Sequence, residues 1–183
     1  MRYCQECATP LTEQIPLGDH LPRAVCPHCG HIHYENPKLI VGCLATFEER
    51  ILLCRRAIEP RLGLWTLPAG FMENGESAEA GAIRETLEEA CARVCIDDLF
   101  AMYSLPAFGQ VYLLFRAHLQ TPHFAATPES LEVALFHENE IPWEQLAFDT
   151  VRQTLQHYLA DKAQGTFRLH RGVIGETCAQ DTK

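Results

Sequence analysis

The sequence from Gly70 to Ala92 reads Gly-Phe-Met-Glu-Asn-Gly-Glu-Ser-Ala-Glu-Ala-Gly-Ala-Ile-Arg-Glu-Thr-Leu-Glu-Glu-Ala-Cys-Ala, and it organises the rest of the chain. The pair Asn74-Gly75 is typical of a turn. Ser77 follows shortly afterwards and is a suitable residue for a helix N-cap. The stretch therefore predicts a loop that leads into a helix.

This helix has two chemically different faces at about 100° per residue. An apolar stripe is predicted to pack against the core and consists of Ile83, Leu87, Ala90 and Val94. The opposite side carries three carboxylates, Glu85, Glu88 and Glu89. Glu85 and Glu89 are four residues apart and repel each other, so a bound cation would stabilise them. Carboxylate oxygens suit Mg²⁺ (or Mn²⁺), which proteins usually hold together with substrate phosphates.

An ordinary solvated helix face is the alternative interpretation of the same charges. Arg84 stands four residues before Glu88, and Arg93 stands four residues after Glu89. Ion pairs at this spacing stabilise many exposed helices without any ligand. Helical spacing alone leaves both interpretations open.

A longer pattern favours the cation. It consists of Gly70, five residues, Glu76, seven residues, Arg84-Glu85, Thr86-Leu87 and Glu88-Glu89. This spacing resembles the Nudix box, the signature of hydrolases that cleave nucleoside diphosphates linked to another group. Two positions depart from the box. Thr86 stands where an aliphatic residue is usual, and Cys91 replaces a late glycine, so both concern helix packing and termination.

The resemblance implies an α/β (α+β) fold, the Nudix α/β/α sandwich with a mixed sheet. It also implies that Glu85, Glu88 and Glu89 bind catalytic Mg²⁺ together with the backbone carbonyl of Ala69. Arg84 would orient these carboxylates through ion pairs, and Glu76 would support them through water.

Two Cys-x-x-Cys pairs stand near the start of the chain, with eighteen residues between them: Cys4, Cys7, Cys26 and Cys29. This is the spacing of a four-thiolate structural zinc site, which is closed to water. We therefore predict a small zinc ribbon with Zn²⁺ in a structural role. Unrelated buried thiols, a redox pair, or competition from His28, His31 and His33 are the alternatives.

Composition and net charge indicate where the protein is located and which partners it does not bind. The chain has 183 residues, a hydrophobic content of 47%, a charged content of 21% and a net charge of −9. The sequence has neither a run long enough to span a bilayer nor a signal-peptide apolar region, which predicts a cytoplasmic protein without membrane contact. The negative charge argues against binding to a nucleic-acid backbone.

We predict three parts: a zinc ribbon at 1–36, a Nudix domain at 37–162, and a C-terminal arm or tail at 163–183. Within the second part, apolar periodicity predicts strands and a second helix. The strands are expected at 39–47, 51–56, 99–105, 110–119 and 131–136, and the helix at 149–162 with Asp149 as its cap. Residues 166–170 are expected to form an edge strand or a dimer arm.

The expected substrate is a small dinucleotide or nucleotide sugar. The zinc ribbon, the strand Val41–Phe47 and the segments Ser104-Leu105-Pro106 and Pro128–Glu132 together resemble bacterial and plant FAD and ADP-ribose pyrophosphatases. That resemblance implies release of AMP, and it suggests a homodimer by analogy.

Candidate substrate contacts lie outside the box. Arg55 and Arg56 are candidates for the phosphates. Tyr112, Phe108 and Tyr103 are candidates for ring stacking, although aromatic residues in strands often belong to the core. Glu129 and Glu132 are two further candidate substrate contacts. The general base is expected to be Glu85 itself or one of these two downstream residues.

Two other functions remain open. The first is the zinc-containing NADH pyrophosphatase group, which also acts on NAD-capped RNA and carries a longer Ser-Gln-Pro-Trp-Pro-Phe-Pro element. The second is a catalytically silent Nudix module that senses nucleotides.

Of the remaining thiols, those of Cys43, Cys54, Cys91 and Cys95 are expected to fill core space, whereas that of Cys178 is expected to be exposed.

Overall fold

The computed structural model describes residues 2–175 of the chain. Two compact units divide it, Met1–Pro37 and Lys38–Lys183. The predicted exposed thiol of Cys178 lies outside the described residues.

The first unit is a small antiparallel sheet with the strand order β1-β2-β3. Its strands are β1 (Thr12–Gln14), β2 (Arg23–Val25) and β3 (Ile32–His33). The buried residues of this unit include Val25 and two cysteines, Cys4 and Cys26. So few apolar residues are buried that the cysteine cluster makes up much of the interior of this unit.

In its described part, residues 38–175, the second unit contains eight strands and two helices, with short 3₁₀ turns at Pro106–Phe108, Glu138–Glu140 and Trp143–Gln145. In chain order they are β4 (Lys38–Phe47), β5 (Arg50–Arg56), β6 (Trp65–Thr66), β7 (Ala69–Phe71), α1 (Ala78–Ala90), β8 (Val94–Leu105), β9 (Gln110–Leu119), β10 (Ser130–Phe136), α2 (Asp149–Gln164) and β11 (His170–Val173).

The main sheet is mixed and follows the order β10-β5-β4-β9-β8-β11. The pairs β4–β9 and β8–β11 are parallel, and the other neighbours are antiparallel. The short strands β6 and β7 pair with β5 and β4. Alternate residues of β4 face opposite sides, so Val41 joins a core cluster with Ala82 of α1, whereas Leu44 joins a cluster with Leu155 of α2. The predicted mixed sheet between two helices is confirmed.

The packed face of α1 differs from the prediction. Ile83 and Leu87 are 37% and 43% exposed, and Val94 belongs to strand β8. The buried face consists instead of Gly81, Ala82, Glu85, Thr86, Glu89 and Ala90. Small residues allow the helix to lie close to the sheet, since a Cβ atom on Gly81 would come within 2.9 Å of Val41 Cγ2. Close approach therefore buries two glutamates that the apolar periodicity had assigned to the outer face.

Three smaller expectations also change. Asp149 is the first residue of α2, and the preceding Phe148 caps the helix without a side-chain hydrogen bond. Cys43 and Cys54 are buried as expected, but Cys91 and Cys95 are exposed.

The segment predicted as a C-terminal arm or tail contributes strand β11 to the edge of the main sheet. Asp161 of α2 holds this segment through two contacts. It accepts a hydrogen bond of 3.0 Å from the backbone N–H of Arg168 and pairs with His170 at 2.8 Å. The strand predicted at 166–170 thus begins only at His170.

The end of α1 explains one departure from the Nudix box. Cys91 is the C-cap in a left-handed conformation with φ of 50°, and its N–H donates to the Leu87 carbonyl at 2.9 Å. Glycine adopts this conformation without the steric cost that a Cβ atom brings.

Among residues 2–175, no helix is long and apolar enough to cross a membrane.

We expect Cys91→Gly to raise the free energy of unfolding by up to ~1.5 kcal/mol. Relief of the left-handed strain contributes ~1–2 kcal/mol, and the greater freedom of glycine in the unfolded chain offsets ~0.5–1 kcal/mol of it. Urea denaturation measures the difference. Cys91→Ala is the control because it removes the thiol but keeps the Cβ atom. An equal gain in both variants would contradict this explanation.

Candidate active site

A cavity of about 690 Å³ lies within the second unit. Its carboxylate wall, defined here by Glu85, Glu88, Glu89 and Glu129, comes from α1 and from the loop before β10. Other lining residues come from β4, β7, β9 and the start of α2. The volume is in the range of small-molecule sites, and these elements are distant in sequence.

The loop before α1 is tied to the helix by two side chains. Ser77 Oγ accepts a hydrogen bond of 3.1 Å from the backbone N–H of Ala80, which confirms the predicted N-cap. Glu76 accepts a bond of 2.7 Å from the backbone N–H of Glu73. The first contact caps the helix, and the second closes the turn that precedes it.

Arg84 is at the centre of the site. Its Nε and Nη2 atoms bind the two oxygens of Glu76 at 3.0 and 2.8 Å. Its Nη1 atom donates to Glu85 at 2.8 Å and to Glu88 at 2.9 Å, and Nη2 also donates to the Phe71 carbonyl at 3.1 Å. These contacts use the whole donor fork of the guanidinium group. Hydrogen bonds from Arg84 lower the pKa of Glu76 to about 2.

Gly70 provides the space for the Glu85 carboxylate. A Cβ atom on Gly70 would lie 2.3 Å from Glu85 Oε2, which is far inside any allowed contact. Burial of Glu85 raises its pKa, although Arg84 opposes the shift. The backbone of β7 therefore forms one side of the carboxylate wall, and a side chain at position 70 would require the Glu85 carboxylate to move.

Glu89 is the most buried carboxylate of the wall. It is 6% exposed and accepts a hydrogen bond of 3.0 Å from the backbone N–H of Ala69. Burial, together with the like charge of Glu85, raises the pKa of Glu89 to about 7. In the part of the chain that the structure describes, no lysine or arginine forms an ion pair with it. An additional positive charge would therefore stabilise this carboxylate.

The three box glutamates line one cavity but do not converge tightly. Among residues 2–175, the four front cysteines are the only such group of three or more potential ligands whose donor atoms all lie within 4.8 Å of one another. Arg84 holds Glu85 and Glu88 from one side. Mg²⁺ in proteins usually keeps several of its waters, which can lie between the ion and a carboxylate, so the wider spacing is compatible with that ion.

The cysteine cluster is preformed. The Sγ atoms of Cys7 and Cys26 are 3.4 Å apart, and those of Cys4 and Cys29 are 3.6 Å apart. Donation from the backbone N–H of Cys29 lowers the pKa of the Cys26 thiol to about 6. The pKa of the Cys29 thiol is instead raised to about 12, because the neighbouring Cys26 thiol and burial outweigh the hydrogen bond with the His31 backbone. The feature that indicates a metal site is therefore the clustering of the four sulfur atoms.

The structure separates the predicted substrate contacts into two groups. Arg56, Tyr112 and Glu129 line the cavity. Arg55 and Glu132 pair with each other at 3.6 Å, and neither lines the cavity formed by the described residues. Adjacent strand residues point to opposite faces of the sheet, so Arg55 and Arg56 cannot both reach it.

The aromatic residues predicted to stack on a substrate ring also differ in whether they line the cavity. Phe108 lines the cavity and is 69% exposed, whereas Tyr103 is 1% exposed and belongs to the core. Sequence reasoning missed Phe148 and Thr150, which line the cavity from the start of α2. No local signal marks these two residues, because only the packing of α2 brings them to the site.

Comparison with known proteins settles the family. The NUDIX domain profile matches residues 36–162, which is more than half of the chain. The protein belongs to the Nudix family. A second profile, the zinc-ribbon "Nudix N-terminal" family, matches residues 2–35. The box residues thus lie in a domain of the kind that the resemblance implied.

Several relatives have names that describe a function. An NAD-capped RNA hydrolase NudC of Stutzerimonas stutzeri is 31% identical over 165 residues, covering 87% of this Nudix chain and 56% of the relative. An ADP-ribose pyrophosphatase of Methanocaldococcus jannaschii is 31% identical over 120 residues, covering 63% and 70%. The chain therefore spans little more than half the length of its NudC relatives.

A solved structure shares the whole architecture. The crystal structure of a NUDIX hydrolase from Nitrosomonas europaea is 52% identical, with a TM-score of 0.93, and covers 95% of this chain and 99% of that one. The agreement extends over nearly the full length of both chains.

We expect Gly70→Ala to lower the affinity for Mn²⁺ about ten- to a hundredfold, as loss of a metal-site neighbour typically does. The new Cβ atom must displace the Glu85 carboxylate. Electron paramagnetic resonance titration measures the affinity. Gly172→Ala is a matched strand control, because its Cβ atom would lie 3.5 Å from Tyr103, an ordinary contact. Unchanged binding in Gly70→Ala would contradict the proposed role of Glu85.

Proposed function

We propose that this Nudix protein is a Mg²⁺-dependent (or Mn²⁺-dependent) hydrolase that cleaves the diphosphate linkage of a nucleoside diphosphate derivative. ADP-ribose and FAD are the favoured substrates, with AMP as a product. The observation that carries this proposal is the Arg84-centred carboxylate wall on one side of a cavity of small-molecule size.

The proposed metal ligands are Glu85, Glu88, Glu89 and the carbonyl of Ala69. Buried, mutually repelling carboxylates with one arginine between them fit a divalent cation, because hard oxygen donors and excess negative charge favour it. When bound, such a cation polarises a phosphoryl oxygen and promotes formation of a nucleophilic hydroxide.

The chain's own groups have separate roles in this proposal. Arg84 is a positioning residue that holds Glu85 and Glu88 in place through the same Nη1 atom. Glu129 is the favoured general base because it lines the cavity, and Glu85 is the alternative. Glu132 is not favoured as the general base, because it pairs with Arg55 outside this cavity.

Arg56 is the favoured phosphate contact. It lines the cavity, and its positive charge opposes the upward shift in the pKa of Glu89. The guanidinium group lies over the Phe148 ring at 5.2 Å, and its Nε donates to the Pro60 carbonyl at 2.8 Å. These contacts orient a planar cation that can bind a diphosphate.

The relative named as an ADP-ribose pyrophosphatase supports that substrate, whereas FAD rests on the sequence resemblance alone. The NudC relatives favour NADH or NAD-capped RNA as the second candidate. A net charge of −9 disfavours the RNA. The third candidate, a silent sensor, is disfavoured by the intact glutamates of the box.

Cytoplasmic location and a homodimer stay predictions from the sequence.

We also propose that Cys4, Cys7, Cys26 and Cys29 hold one structural Zn²⁺. The mutual distances of their sulfur atoms support this site. A division into 1–36, 37–162 and 163–183 is proposed with it, and strand β11 ties the third part to the main sheet.

Purified protein is expected to contain about one zinc ion per chain, because four thiolates complete a tetrahedral site. Cys29→Ser should lose most of the metal and the dispersed amide signals of residues 1–37. Atomic emission and two-dimensional NMR measure both effects. Cys95→Ser is the control, since this exposed thiol is outside the cluster. Full zinc content in Cys29→Ser would refute the site.

Glu88→Gln should lower kcat with Mg²⁺ at least about a hundredfold, since a direct ligand contributes more than the ten- to hundredfold typical of outer-shell partners. Glu88 is exposed, so the melting temperature should change little. Chromatography of the monophosphate products formed from ADP-ribose, FAD, NADH and NAD-capped RNA measures the activity.

Glu79→Gln is the matched control because Glu79 is exposed in the first turn of the same helix. Retained Mg²⁺-dependent activity in Glu88→Gln would overturn the ligand assignment. An inactive wild-type protein on the whole panel would favour the sensor.

A further inference from the structure

Glu129, the favoured general base, stands on a tight turn immediately before β10. Thr127 and Ser130 exchange two backbone hydrogen bonds across this turn, with lengths of 3.1 and 3.2 Å. Pro128 occupies the second position of the turn, which its fixed φ angle suits. The turn therefore has a defined shape, and the place of the Glu129 carboxylate in the cavity depends on what holds the turn as a whole.

The segment before the turn is attached to the end of α1. The last four carbonyl groups of a helix have no partner within the helix and need donors from outside it. The Ala90 carbonyl accepts a hydrogen bond of 2.8 Å from the backbone N–H of Ala125. The neighbouring Phe124 is half-buried and packs against the core cluster that includes Ala90. This attachment brings the turn next to the helix that carries the box glutamates.

The hydroxyl group of Thr127 completes the attachment with two hydrogen bonds. It donates to the backbone carbonyl of Glu89 at 3.4 Å, and it accepts from the backbone N–H of Glu129 at 3.2 Å. One hydroxyl group can make both bonds, because it has a single proton and two lone pairs. Thr127 therefore joins the backbone of a proposed metal ligand to the backbone of the proposed general base.

The other side of Glu129 is held by the residue that follows β5. Its carbonyl accepts a hydrogen bond of 2.9 Å from the backbone N–H of Ala57, which follows the proposed phosphate contact Arg56. Burial raises the pKa of both Glu85 and Glu89, and the charge of Glu129 contributes to both shifts. The carboxylate of Glu129 thus lies close enough to act on these two groups.

We propose that Thr127 is a positioning residue for the hydrolysis, because its hydroxyl group fixes the turn of Glu129 against α1. A general base must lie within hydrogen-bond reach of the proton that it takes from the attacking water. A displacement of about 1 Å can slow such a step about a hundredfold. Thr127 does not itself line the cavity formed by the described residues, so it acts through Glu129. This inference rests on the proposed function and adds the residue that places the base.

Removal of the hydroxyl group tests this role. We expect Thr127→Val to lower kcat with Mg²⁺ about tenfold and to leave KM unchanged, since a loosened base slows the chemistry and not the binding. Thr127→Ser keeps the hydroxyl group and should retain most of kcat. Chromatography of the monophosphate formed from the most active substrate among ADP-ribose, FAD and NADH measures both constants. An unchanged kcat in Thr127→Val, or an equal loss in Thr127→Ser, would overturn the inference.

Thr46→Val is the matched control. The Thr46 hydroxyl donates to the Ala117 carbonyl at 3.3 Å and is half-buried like that of Thr127, but Thr46 does not line the cavity formed by the described residues. Both valine variants should lower the melting temperature to a similar extent, whereas only Thr127→Val should lower kcat. An equal loss of kcat in both variants would assign the effect to packing and overturn the role of Thr127.

A second substitution tests whether Thr127 acts through Glu129. Glu129→Gln should lower kcat about a hundredfold or more, as loss of a general base does. Thr127→Val should cause no further loss in that background, because residues that act as a unit are not additive. The affinity for Mn²⁺, measured by electron paramagnetic resonance, should be the same in Thr127→Val and the wild type. An undiminished effect in the double variant, or weaker Mn²⁺ binding, would overturn the inference.

Amide exchange tests the contact itself in the metal-free protein. With EDTA present, the amide proton of Glu129 should exchange about fivefold faster in Thr127→Val than in the wild type, as expected for the loss of one hydrogen bond. The rate in Thr127→Ser should stay close to that of the wild type. Two-dimensional NMR measures these rates. Equal rates in Thr127→Val and the wild type would overturn the inference.

The inference and the proposed function fail in different ways. A wild-type protein that cleaves none of the panel substrates with Mg²⁺ or Mn²⁺ would refute both. An active protein whose kcat does not depend on Thr127 would retain the function and refute the inference alone. Full activity of Glu129→Gln would likewise retain the function and refute the inference, and it would favour Glu85 as the base.

Discussion

The hydrogen-bonded fork of Arg84 is the interaction on which the rest of the site depends. One guanidinium group joins the loop before α1, through Glu76 and the Phe71 carbonyl, to Glu85 and Glu88 on the helix. Lysine offers donors from a single nitrogen and could not hold all of these partners in one plane. The carboxylates therefore keep their positions although they repel one another.

Close approach of α1 to the sheet makes this arrangement possible. Gly81 and Ala82 remove the side-chain bulk that would otherwise separate the helix from β4, and Gly70 leaves room for the Glu85 carboxylate. The departures from the Nudix box are compatible with this packing. Thr86 is fully buried and donates to the Ala82 carbonyl at 2.8 Å, whereas Cys91 ends the helix at a conformational cost.

The cavity joins two environments of opposite character. Burial makes the charged form of Glu89 costly, which favours a cation beside it. Arg56 lies over the Phe148 ring. An apolar wall of the same cavity offers aromatic surface and consists of Leu105, Tyr112, Leu114, Phe148 and Val151. A nucleoside diphosphate combines a charged and an apolar end in the same way. The chemistry of the two walls thus matches one ligand class better than either wall alone.

The sequence by itself determined the family, the mixed sheet between two helices, the Ser77 cap and the clustered cysteines, because each depends on residues that are close in the chain or regularly spaced. It misassigned the buried face of α1, since helical periodicity ranks hydrophobicity and does not register how closely small residues let backbones approach. It also could not choose between Arg55 and Arg56, or find Phe148 and Thr150. Only the tertiary structure decided these, because strand orientation and the docking of α2 bring distant residues to one cavity.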